Sequence, residues 1–439
     1  MTMKLIQITT ILLLSAMFVE KADAQETDLA KSGSFYSVFG FGNPVDSKSA
    51  HSQGMGLTGV SNYTNLSPSI SNPAHWGLIG YTQGSISASL NNYRASDAVS
   101  SARGSLLAVQ NFQVVFPLMR NELGISASFT PVTRSDFQVF NEGSFDPIDG
   151  LNLDPVQYRS NTLGSGGVNR FEVGAGYRVA SWLAVGYAFS ANILSQQQEN
   201  TLGFSNPNYS STVTNRNIQG YGFGNRFGIF LNKGSVLRNN DQIAMGATLS
   251  LPVSIDGERS INTFRVVENS RTLIELDGDS PDRDGRVQLP LEFNIGLTYN
   301  LSRFVNVSTE LMYQDWGNAE YSFSSTQESY FKERVRAGLG VQYHPYRAEQ
   351  AAGFLSNFKY GLGASYDTGH LAINGEDIET LFLNAGIGLI SRRAASSIDL
   401  NFHYGIRGTQ SSNLVKENIW GFTLSLNLAE YMFVRPQFQ

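Results

Sequence analysis

Apolar and polar residues alternate in runs of about ten residues along most of the chain. In the run 291–300, every odd position is large and apolar, whereas every even position is Glu, Asn, Gly or Thr. The runs 171–179, 398–404 and 420–428 repeat the alternation. Since successive side chains of a β-strand point to opposite faces, each run predicts a strand with one apolar and one polar face.

A soluble β-sandwich also shows this alternation, so the alternation alone leaves two architectures open. The runs in this chain exceed the usual strand length of about five or six residues. Their apolar faces carry Tyr, Trp and Phe near their ends, as the aromatic girdle of a membrane barrel does. The length of the runs and their aromatic residues therefore favour strands that cross a membrane.

Fourteen segments of this kind follow one another, and the connections between them alternate in length. The connections 180–181 and 302–303 are near-minimal turns, whereas 141–167 and 258–285 are long. Bacterial outer-membrane barrels have an even strand number, short periplasmic turns and long outer loops. The sequence therefore predicts an all-β fold, a transmembrane antiparallel β-barrel of about 14 strands over residues 81–430, with both termini periplasmic. The predicted strands are 82–93, 104–117, 121–140, 168–180, 182–200, 216–232, 242–257, 286–301, 303–316, 331–345, 356–367, 378–391, 396–407 and 417–430.

The first residues are typical of a secretory signal. Lys4 supplies a positive charge, residues 5–19 are mostly apolar, and 22–24 form an Ala-x-Ala cleavage site. The apolar run is too short for a membrane-spanning helix of about 20 residues. We predict a signal peptide at 1–24 and a periplasmic tail at 431–439. Export without an apolar helical span leaves a soluble exported protein or a barrel in the outer membrane of a Gram-negative cell.

A long polar segment, residues 25–80, separates the signal from the first strand. It is rich in turn-forming Gly and Pro, and it also contains Phe35, Tyr36, Phe41 and Trp76. The polar faces of the predicted strands carry many glycines, which weaken a strand unless another segment must approach it closely. We therefore predict that residues 25–80 form a hatch, or plug, inside the barrel. The alternative is a disordered periplasmic tail.

Composition removes several classes of function. The 439 residues carry a net charge of −6, which argues against a nucleic-acid partner. The chain has no Cys, which excludes a Cys-ligated zinc site and a thiol nucleophile. It also lacks the Gly-x-x-x-x-Gly-Lys-Ser/Thr phosphate loop, so it encodes no energy source of that kind. We predict no cofactor.

Two short motifs precede the first strand. They are Gln-Gly-Met-Gly-Leu-Thr-Gly-Val at 53–60 and Asn72-Pro73-Ala74. Together they resemble the N-terminal region of the FadL/TodX family, which are outer-membrane transporters of hydrophobic compounds. The likeness covers nearly all of residues 50–435, and its ending is most similar to the Bacteroidetes-type branch. Further matching stretches are 124–131, 166–170, 289–291, 404–409 and 416–418.

The resemblance implies a fourteen-stranded barrel with an N-terminal hatch. It also implies passive uptake of long-chain fatty acids or other hydrophobic compounds, with lateral release through a kink in the third strand. Pro131 interrupts the third predicted strand, where it cannot donate to the ladder, and we take it as a candidate lateral gate. A simple bulge at the end of that strand is the alternative. The expected partners are hydrophobic small molecules, outer-membrane lipid and lipopolysaccharide.

A second interpretation stays open at this stage. PorV, a FadL-related component of type IX secretion, resembles the chain in the same features, yet its partner is a protein. The sequence alone does not separate a transporter from a PorV-like interaction barrel in secretion or surface assembly. An apolar pocket that continues to a side opening would favour transport, whereas a polar lumen would favour the interaction barrel.

Charged residues on the polar faces are the candidate ligand contacts. Arg178, Arg226 and Arg336 project inward on the pattern, together with several Glu residues. An inward Arg either pairs with another inward charge or with the plug, or it holds a ligand carboxylate with two hydrogen bonds. We name these three Arg residues as candidate carboxylate contacts.

Neither a catalytic nor a metal site is predicted. Asp399, Asn401 and His403 share one polar face, but the sequence places no Ser beside His403. We therefore expect no enzymatic activity. The acidic stretch 277–285 has carboxylates at a density that Ca²⁺ can use, but its spacing differs from that of an EF-hand loop. We interpret this stretch as a solvated outer loop.

Overall fold

The computed structural model describes most of the chain. The signal peptide predicted at 1–24 and the tail predicted at 431–439 lie outside the described residues. No helix in the described part is long and apolar enough to cross a membrane. The described residues are 32–98, 100–146, 154–238, 241–267, 270–274, 283–323, 330–345, 353–391 and 396–430.

Within these residues, fourteen antiparallel strands close into a barrel in which β14 pairs with β1. Three strands consist of two pieces each, with a proline at each break. The strands are β1 (Thr82–Ser96), β2 (Ser101–Met119), β3 (Leu123–Pro131 and Phe137–Phe145), β4 (Val156–Ala180), β5 (Leu183–Phe204), β6 (Ser211–Gly234), β7 (Gln242–Ser250 and Val253–Val267), β8 (Arg283–Leu289 and Glu292–Asn300), β9 (Val305–Gln314), β10 (Arg334–Tyr343), β11 (Phe358–Asp367), β12 (Thr380–Ile390), β13 (Ser397–Arg407) and β14 (Lys416–Glu430).

The remaining elements are short. One α-helical turn and several 3₁₀ turns lie before the barrel or in its loops, and three pairs of short strands lie beside it. The turns are Phe35–Val38, Ala50–Gln53, Pro73–Leu78, Trp316–Asn318, Phe354–Asn357 and Ser411–Asn413. The short pairs are Asn43–Pro44 with Thr133–Arg134, Ala372–Ile373 with Glu376–Asp377, and Ser270–Ile274 with the end of β7.

The predicted alternation corresponds to the outer and inner faces of the wall. On β14, Trp420 and Leu424 are 44% and 47% exposed, whereas Ser425 and Asn427 are at most 1% exposed. The same division holds on the other strands that the sequence singled out. An outward apolar face and an inward polar face are what a lipid-embedded barrel requires. The predicted all-β outer-membrane barrel is therefore confirmed.

Several strands extend further than predicted at one end of the barrel. β4 begins at Val156, and the connection predicted at 141–167 is largely strand. Its first residues pair with the second half of β3 on one side and with the end of β5 on the other. These extensions are rich in Asn, Gln, Ser and Thr, so they show no apolar face, and only their pairing with neighbouring strands reveals them. We call the end of the barrel that carries them the upper end.

Candidate functional site

Residues 32–80, which we call the lumenal segment, pack against the inward face of the wall. A Cβ at Gly246, Gly124 or Gly363 would lie well inside 3.0 Å of a main-chain oxygen of this segment. Since only glycine permits such an approach, the inward glycines are where the backbone of the segment contacts the wall.

The motif Asn72-Pro73-Ala74 begins the 3₁₀ turn Pro73–Leu78 and fixes it to the wall. The Asn72 side chain accepts a hydrogen bond from the N–H of Ala74 at 3.0 Å, which caps the turn. The same amide donates to the carbonyl oxygens of Val60 at 2.9 Å and of Ile229, on β6, at 3.1 Å. The motif therefore joins two parts of the lumenal segment to the barrel.

Glu310, an inward residue of β9, holds a Gly-containing turn of the lumenal segment. Its carboxylate accepts hydrogen bonds from the N–H groups of Thr58, Gly59 and Val60 at 2.6, 2.8 and 2.9 Å. It also accepts one from the Thr58 hydroxyl at 2.7 Å. Charge-assisted bonds of this kind are about twice as strong as neutral ones. Glu310 is only 9% exposed, so water competes little for these donors.

Arg226, on β6, fixes a second part of the lumenal segment. Its guanidinium donates to the carbonyl oxygens of Ser71 at 3.1 Å and Ile70 at 2.9 Å. It also forms a buried ion pair with Glu172 on β4. The fork of the arginine thus joins two wall strands and the segment.

Asp46, in the lumenal segment, pairs with two arginines of β10. Its carboxylate lies 3.0 Å from Arg334 and 3.0 Å from Arg336. Arg334 also pairs with Asp367 on β11, and Arg336 donates to the carbonyl oxygen of Gly56. Burial opposes ionisation of Asp46, but the two arginines outweigh it and hold the pKa of this carboxyl well below its usual range.

Aromatic residues of the lumenal segment fill the upper lumen. Phe41 packs in a buried apolar cluster with Trp316 and inward residues of β4 to β8. Tyr36 packs with Leu371 and Leu414 from the upper loops. Ser34 and Phe35 donate to the buried carboxylate of Glu417 at 2.7 and 2.6 Å. The described parts of the upper loops therefore contact the lumenal segment at this end of the barrel.

A cavity of about 200 Å³ remains between the lumenal segment and the wall. Most of the residues that line it are polar, and basic side chains outnumber acidic ones, but apolar residues such as Leu106, Phe382 and Ile419 also line it. Burial, reinforced by the nearby Arg336, lowers the pKa of the Lys48 ammonium to about 7. The cavity therefore has many polar and charged groups in its lining and is not a purely apolar pocket. Residues that line it include Lys48, Asn91, Arg134, Arg336, Asn401 and His403.

The wall beside this cavity is interrupted at Pro131. The pairing of β2 with β3 ends at Phe112 with Phe129. Beyond Pro131 the chain turns inward, and Thr133–Arg134 pairs with Asn43–Pro44 of the lumenal segment instead of with β2. In the described residues, no strand pairs with this edge of β2 from 101 to 111.

A family model named BamG matches residues 2–439. The chain belongs to the BamG family. A comparison with curated proteins gives no match. Among solved structures, this BamG-family chain is similar to a Pseudomonas aeruginosa FadL homologue, with a TM-score of 0.58 and 12% identity over 89% of this chain and 99% of that one.

Two further solved structures share the fold. The Ralstonia pickettii toluene transporter TbuX gives a TM-score of 0.55 at 15% identity, over 90% of this chain and 99% of that one. The Pseudomonas putida toluene transporter TodX gives 0.54 at 15% identity, over 90% and 99%. The FadL-type fold expected from the motifs is thus confirmed, whereas the Bacteroidetes-type branch stays a prediction.

The three arginines named from the sequence lie in different places in the BamG-family barrel. Arg226 and Arg336 contact the lumenal segment, and only Arg336 lines the cavity beside the wall interruption. Arg178 lies near the lower end, where it donates to the carbonyl oxygen of Ser181 at 3.2 Å. Their role as ligand contacts stays a prediction, and the acid-rich stretch 277–285 lies mostly outside the described residues.

His403 also lines the cavity, where its ring packs edge-on against Phe382 with 6.0 Å between centroids. None of the hydrogen bonds between described residues joins His403 to a serine. Asp399 instead pairs with Lys359 at 2.8 Å and accepts from Asn427 at 2.8 Å. Asp399 and His403, which share the inward face of β13, therefore have different neighbours.

Sequence reasoning did not name several residues of these contacts as site residues. Glu310 was predicted only to project inward, and Asp46 and Glu417 were not singled out, although each makes several buried contacts. The available signal for Glu310 was a charged residue on an inward strand face whose other residues are uncharged. No comparable signal exists for Asp46, which lies in an irregular stretch.

Proposed function

We propose that this BamG-family chain is an outer-membrane barrel with a permanently filled lumen, which acts as a protein-interaction component of secretion or surface assembly. The observation that carries the proposal is the attachment of the lumenal segment at separate charged sites, beside a cavity that is polar. A hatch that opens for hydrophobic compounds needs weak attachment and a greasy path. The contacts of Glu310, Arg226 and Asp46 do not provide weak attachment, and the cavity does not provide a greasy path.

The energetic argument concerns what movement of the segment would expose. Removing one partner from a buried, hydrogen-bonded charge typically destabilises a protein by about 3–5 kcal/mol. Withdrawal of the lumenal segment would leave Glu310 without its four donors and would separate Asp46 from Arg334 and Arg336. A passive channel has no energy source to offset such losses. Function is therefore expected on the outside of the wall and at its ends.

The proposal predicts a closed barrel that co-purifies with protein. In planar bilayers the full-length chain should show almost no conductance, while a variant without residues 33–80 should conduct as an open pore. Affinity purification from native membranes in mild detergent should recover a polypeptide in fixed ratio to the barrel. Steady conductance of the full-length chain, or recovery of the barrel alone under conditions that preserve other membrane complexes, would contradict the proposal.

Passage of long-chain fatty acids or other hydrophobic compounds is the second candidate function. It is favoured by the wall interruption at Pro131, which lies beside the cavity and offers a lateral route, and by the hydrophobic cargo named for the TbuX and TodX neighbours. In this candidate, residues 25–80 act as the hatch, and Arg336 and Lys48 receive the ligand carboxylate. The hatch would then move by small local shifts.

This second candidate predicts pH-dependent retention of fatty acid. With a pKa of about 7, Lys48 is charged at pH 6 and mostly neutral at pH 9, so carboxylate retention should fall as the pH rises through 7. Lys48→Met should reduce retention at pH 6 several-fold and remove the pH dependence, whereas Lys233→Met, at an exposed lower site, should change neither. Fatty-acid retention is measured by mass spectrometry of the lipid bound to each purified protein, with the Pro131→Ala variant included in the comparison. Equal retention by all variants would count against ligand binding in the cavity.

A further inference from the structure

In the part of the chain that the structure describes, no strand pairs with one edge of β2 over a long stretch. On its other edge, β2 pairs with β1 from Ser101 to Val115. Its pairing with β3 covers only Phe112 to Met119. Among the described residues, nothing pairs in a ladder with the β3-facing edge of 101–111. An unpaired edge presents alternate N–H and C=O groups to its surroundings and is a template for another strand.

The register places part of this edge inside the apolar belt. Leu107 and Val109 are level with Leu90 and Ala88 of β1, which are level with Phe422 and Leu424 of β14. These β14 residues lie in the middle of the outward apolar row that runs from 420 to 428. The lower part of the unpaired edge, from 107 to 111, is therefore at the depth of the hydrocarbon, whereas 101–104 is level with 416–419, above this apolar row.

The outward side chains at this part of β2 are exposed on the lipid-facing side of the wall. Leu107 is 74% exposed, compared with 47% for Leu424 in the intact part of the wall. Val109, one pair further along, is 48% exposed. Leu107 is thus somewhat more exposed than Leu362, at 65% on β11, whereas Val109 is about as exposed as Leu424.

The chain itself satisfies only part of this edge. Arg134 donates to the carbonyl oxygen of Val109. Gly33 donates its N–H to the carbonyl oxygen of Asp136 at 3.1 Å, and a Cβ at Gly104 would meet Ser32 at 2.6 Å. The lumenal segment therefore approaches the interruption from the inside but adds no ladder to β2.

Lipid cannot supply what this edge lacks. Acyl chains neither donate nor accept hydrogen bonds, and open sheet edges do not occur in the hydrocarbon region unless protein or a water-filled cavity covers them. A bound fatty acid has one polar group, which does not match a row of alternating donors and acceptors. A polypeptide in extended conformation matches the row along its full length.

We propose that the edge of β2 from Ser101 to Asn111 receives a β-strand of another polypeptide, with apolar residues at alternate positions. The incoming strand runs along β2 at the place where the chain turns inward between Pro131 and Phe137. Its apolar residues face lipid beside Leu107 and Val109, and its polar residues face the cavity. This inference rests on the proposed function, because it names the surface and the kind of partner that an interaction barrel would use.

The chain's own residues before Ser32 do not have the required pattern. Residues 25–31 read Gln-Glu-Thr-Asp-Leu-Ala-Lys. One alternate set is Gln, Thr, Leu and Lys, and the other is Glu, Asp and Ala, so neither face is apolar. A strand at hydrocarbon depth that turned either face to lipid would place charged or amide groups there, at a cost of about 2–4 kcal/mol for a Lys near the midplane. A separate chain with a transmembrane-type strand fits better.

The first experiment is photo-cross-linking in intact cells of the full-length chain. p-Benzoylphenylalanine is placed at Leu107 and, as a matched control, at Leu339, which is 57% exposed on β10. The proposal expects a protein adduct at Leu107 at least tenfold more abundant than at Leu339, with the partner residue identified by mass spectrometry within an alternating apolar segment. Adducts of Leu107 with lipid only, or with residues 25–31 of the same chain, overturn it.

The second experiment needs no substitution. Amide hydrogen exchange is measured on the wild-type complex in mild detergent and on the barrel after separation from its partner. We expect alternate amides of 101–108 to exchange at least tenfold more slowly in the complex, while those of β10, 334–343, stay unchanged. Equal exchange of 101–108 in the two states overturns the strand proposal.

The two failures are distinguishable. If a partner co-purifies but cross-links from other positions and leaves 101–108 unprotected, the interaction function stands and the strand site is wrong. If no partner co-purifies and Leu107 captures only lipid, the interaction function and the strand site fail together. In that case the lateral route for hydrophobic compounds becomes the better explanation of the interruption.

Discussion

Glu310→Ala should release the turn at Thr58, Gly59 and Val60 from β9 and lower the free energy of unfolding by about 3 kcal/mol or more. The carboxylate accepts three backbone N–H bonds and one hydroxyl bond, all between buried groups. Alanine leaves these donors without an acceptor, and each unsatisfied buried donor costs about 1–3 kcal/mol. Rearrangement and entry of water will recover part of this sum.

Glu292→Ala is the matched control for this change. Glu292 also projects inward, on β8, but it accepts from Asn294 at 2.8 Å and Gln314 at 2.5 Å, both of which belong to the wall. Urea unfolding should show the larger loss for Glu310→Ala, and limited proteolysis should cut near Thr58 at least tenfold faster in that variant alone. Equal cleavage in both variants would mean that Glu310 does not hold the lumenal segment.

The barrel could be predicted because its physical cause is local and repeated. Every strand must present an apolar side chain to lipid at every second position, so residues such as Phe422 and Leu424 record the fold directly in the sequence. Inward glycines such as Gly246 also record the close approach of another segment. The upper extensions of β4 and β5 lie beyond this constraint, and their polar residues give no comparable signal.

The contacts of the lumenal segment could not be predicted in the same way. They join residues that are far apart in the chain, such as Asp46 with Arg334 and Glu417 with Phe35. No periodicity links such pairs, because the segment is irregular and its path is fixed by the finished barrel. The break at Pro131 could be predicted only in part. The sequence indicates a break in a strand, but the inward turn that frees the edge of β2 is a consequence of pairing with Asn43–Pro44.

The polar cavity changes the balance between the two functional interpretations. The motifs imply a carrier of hydrophobic compounds, and that role needs a greasy binding site. In the described part of the chain, apolar residues of the lumen pack in clusters that include Phe41, Tyr36 and Trp76, while the cavity beside the wall interruption is lined by groups such as Lys48 and Arg336. The fold is shared with hydrocarbon channels, but the chemistry of this lumen favours a closed barrel.

Gly246→Ala should displace the lumenal segment by a different mechanism. A Cβ at this inward position of β7 would lie well inside 3.0 Å of the Val60 carbonyl oxygen and carbon, so wall and segment must separate locally. Overpacking of this kind costs about 1–3 kcal/mol. Gly84→Ala, on β1, meets nothing within 4 Å and is the matched control, for which we expect unchanged or slightly raised stability.

The position of Val60 can be followed chemically, because the chain has no Cys. Val60→Cys, 1% exposed at the parent valine, should react with maleimide only slowly in the otherwise wild-type barrel and in the Gly84→Ala background. In the Gly246→Ala background we expect the labelling rate to rise at least tenfold, together with a lower urea midpoint. The displaced turn carries the donors of Glu310, so combining Gly246→Ala with Glu310→Ala should destabilise less than the sum of the two changes. Strict additivity, with slow labelling in every background, would show that the turn is not held between these two strands.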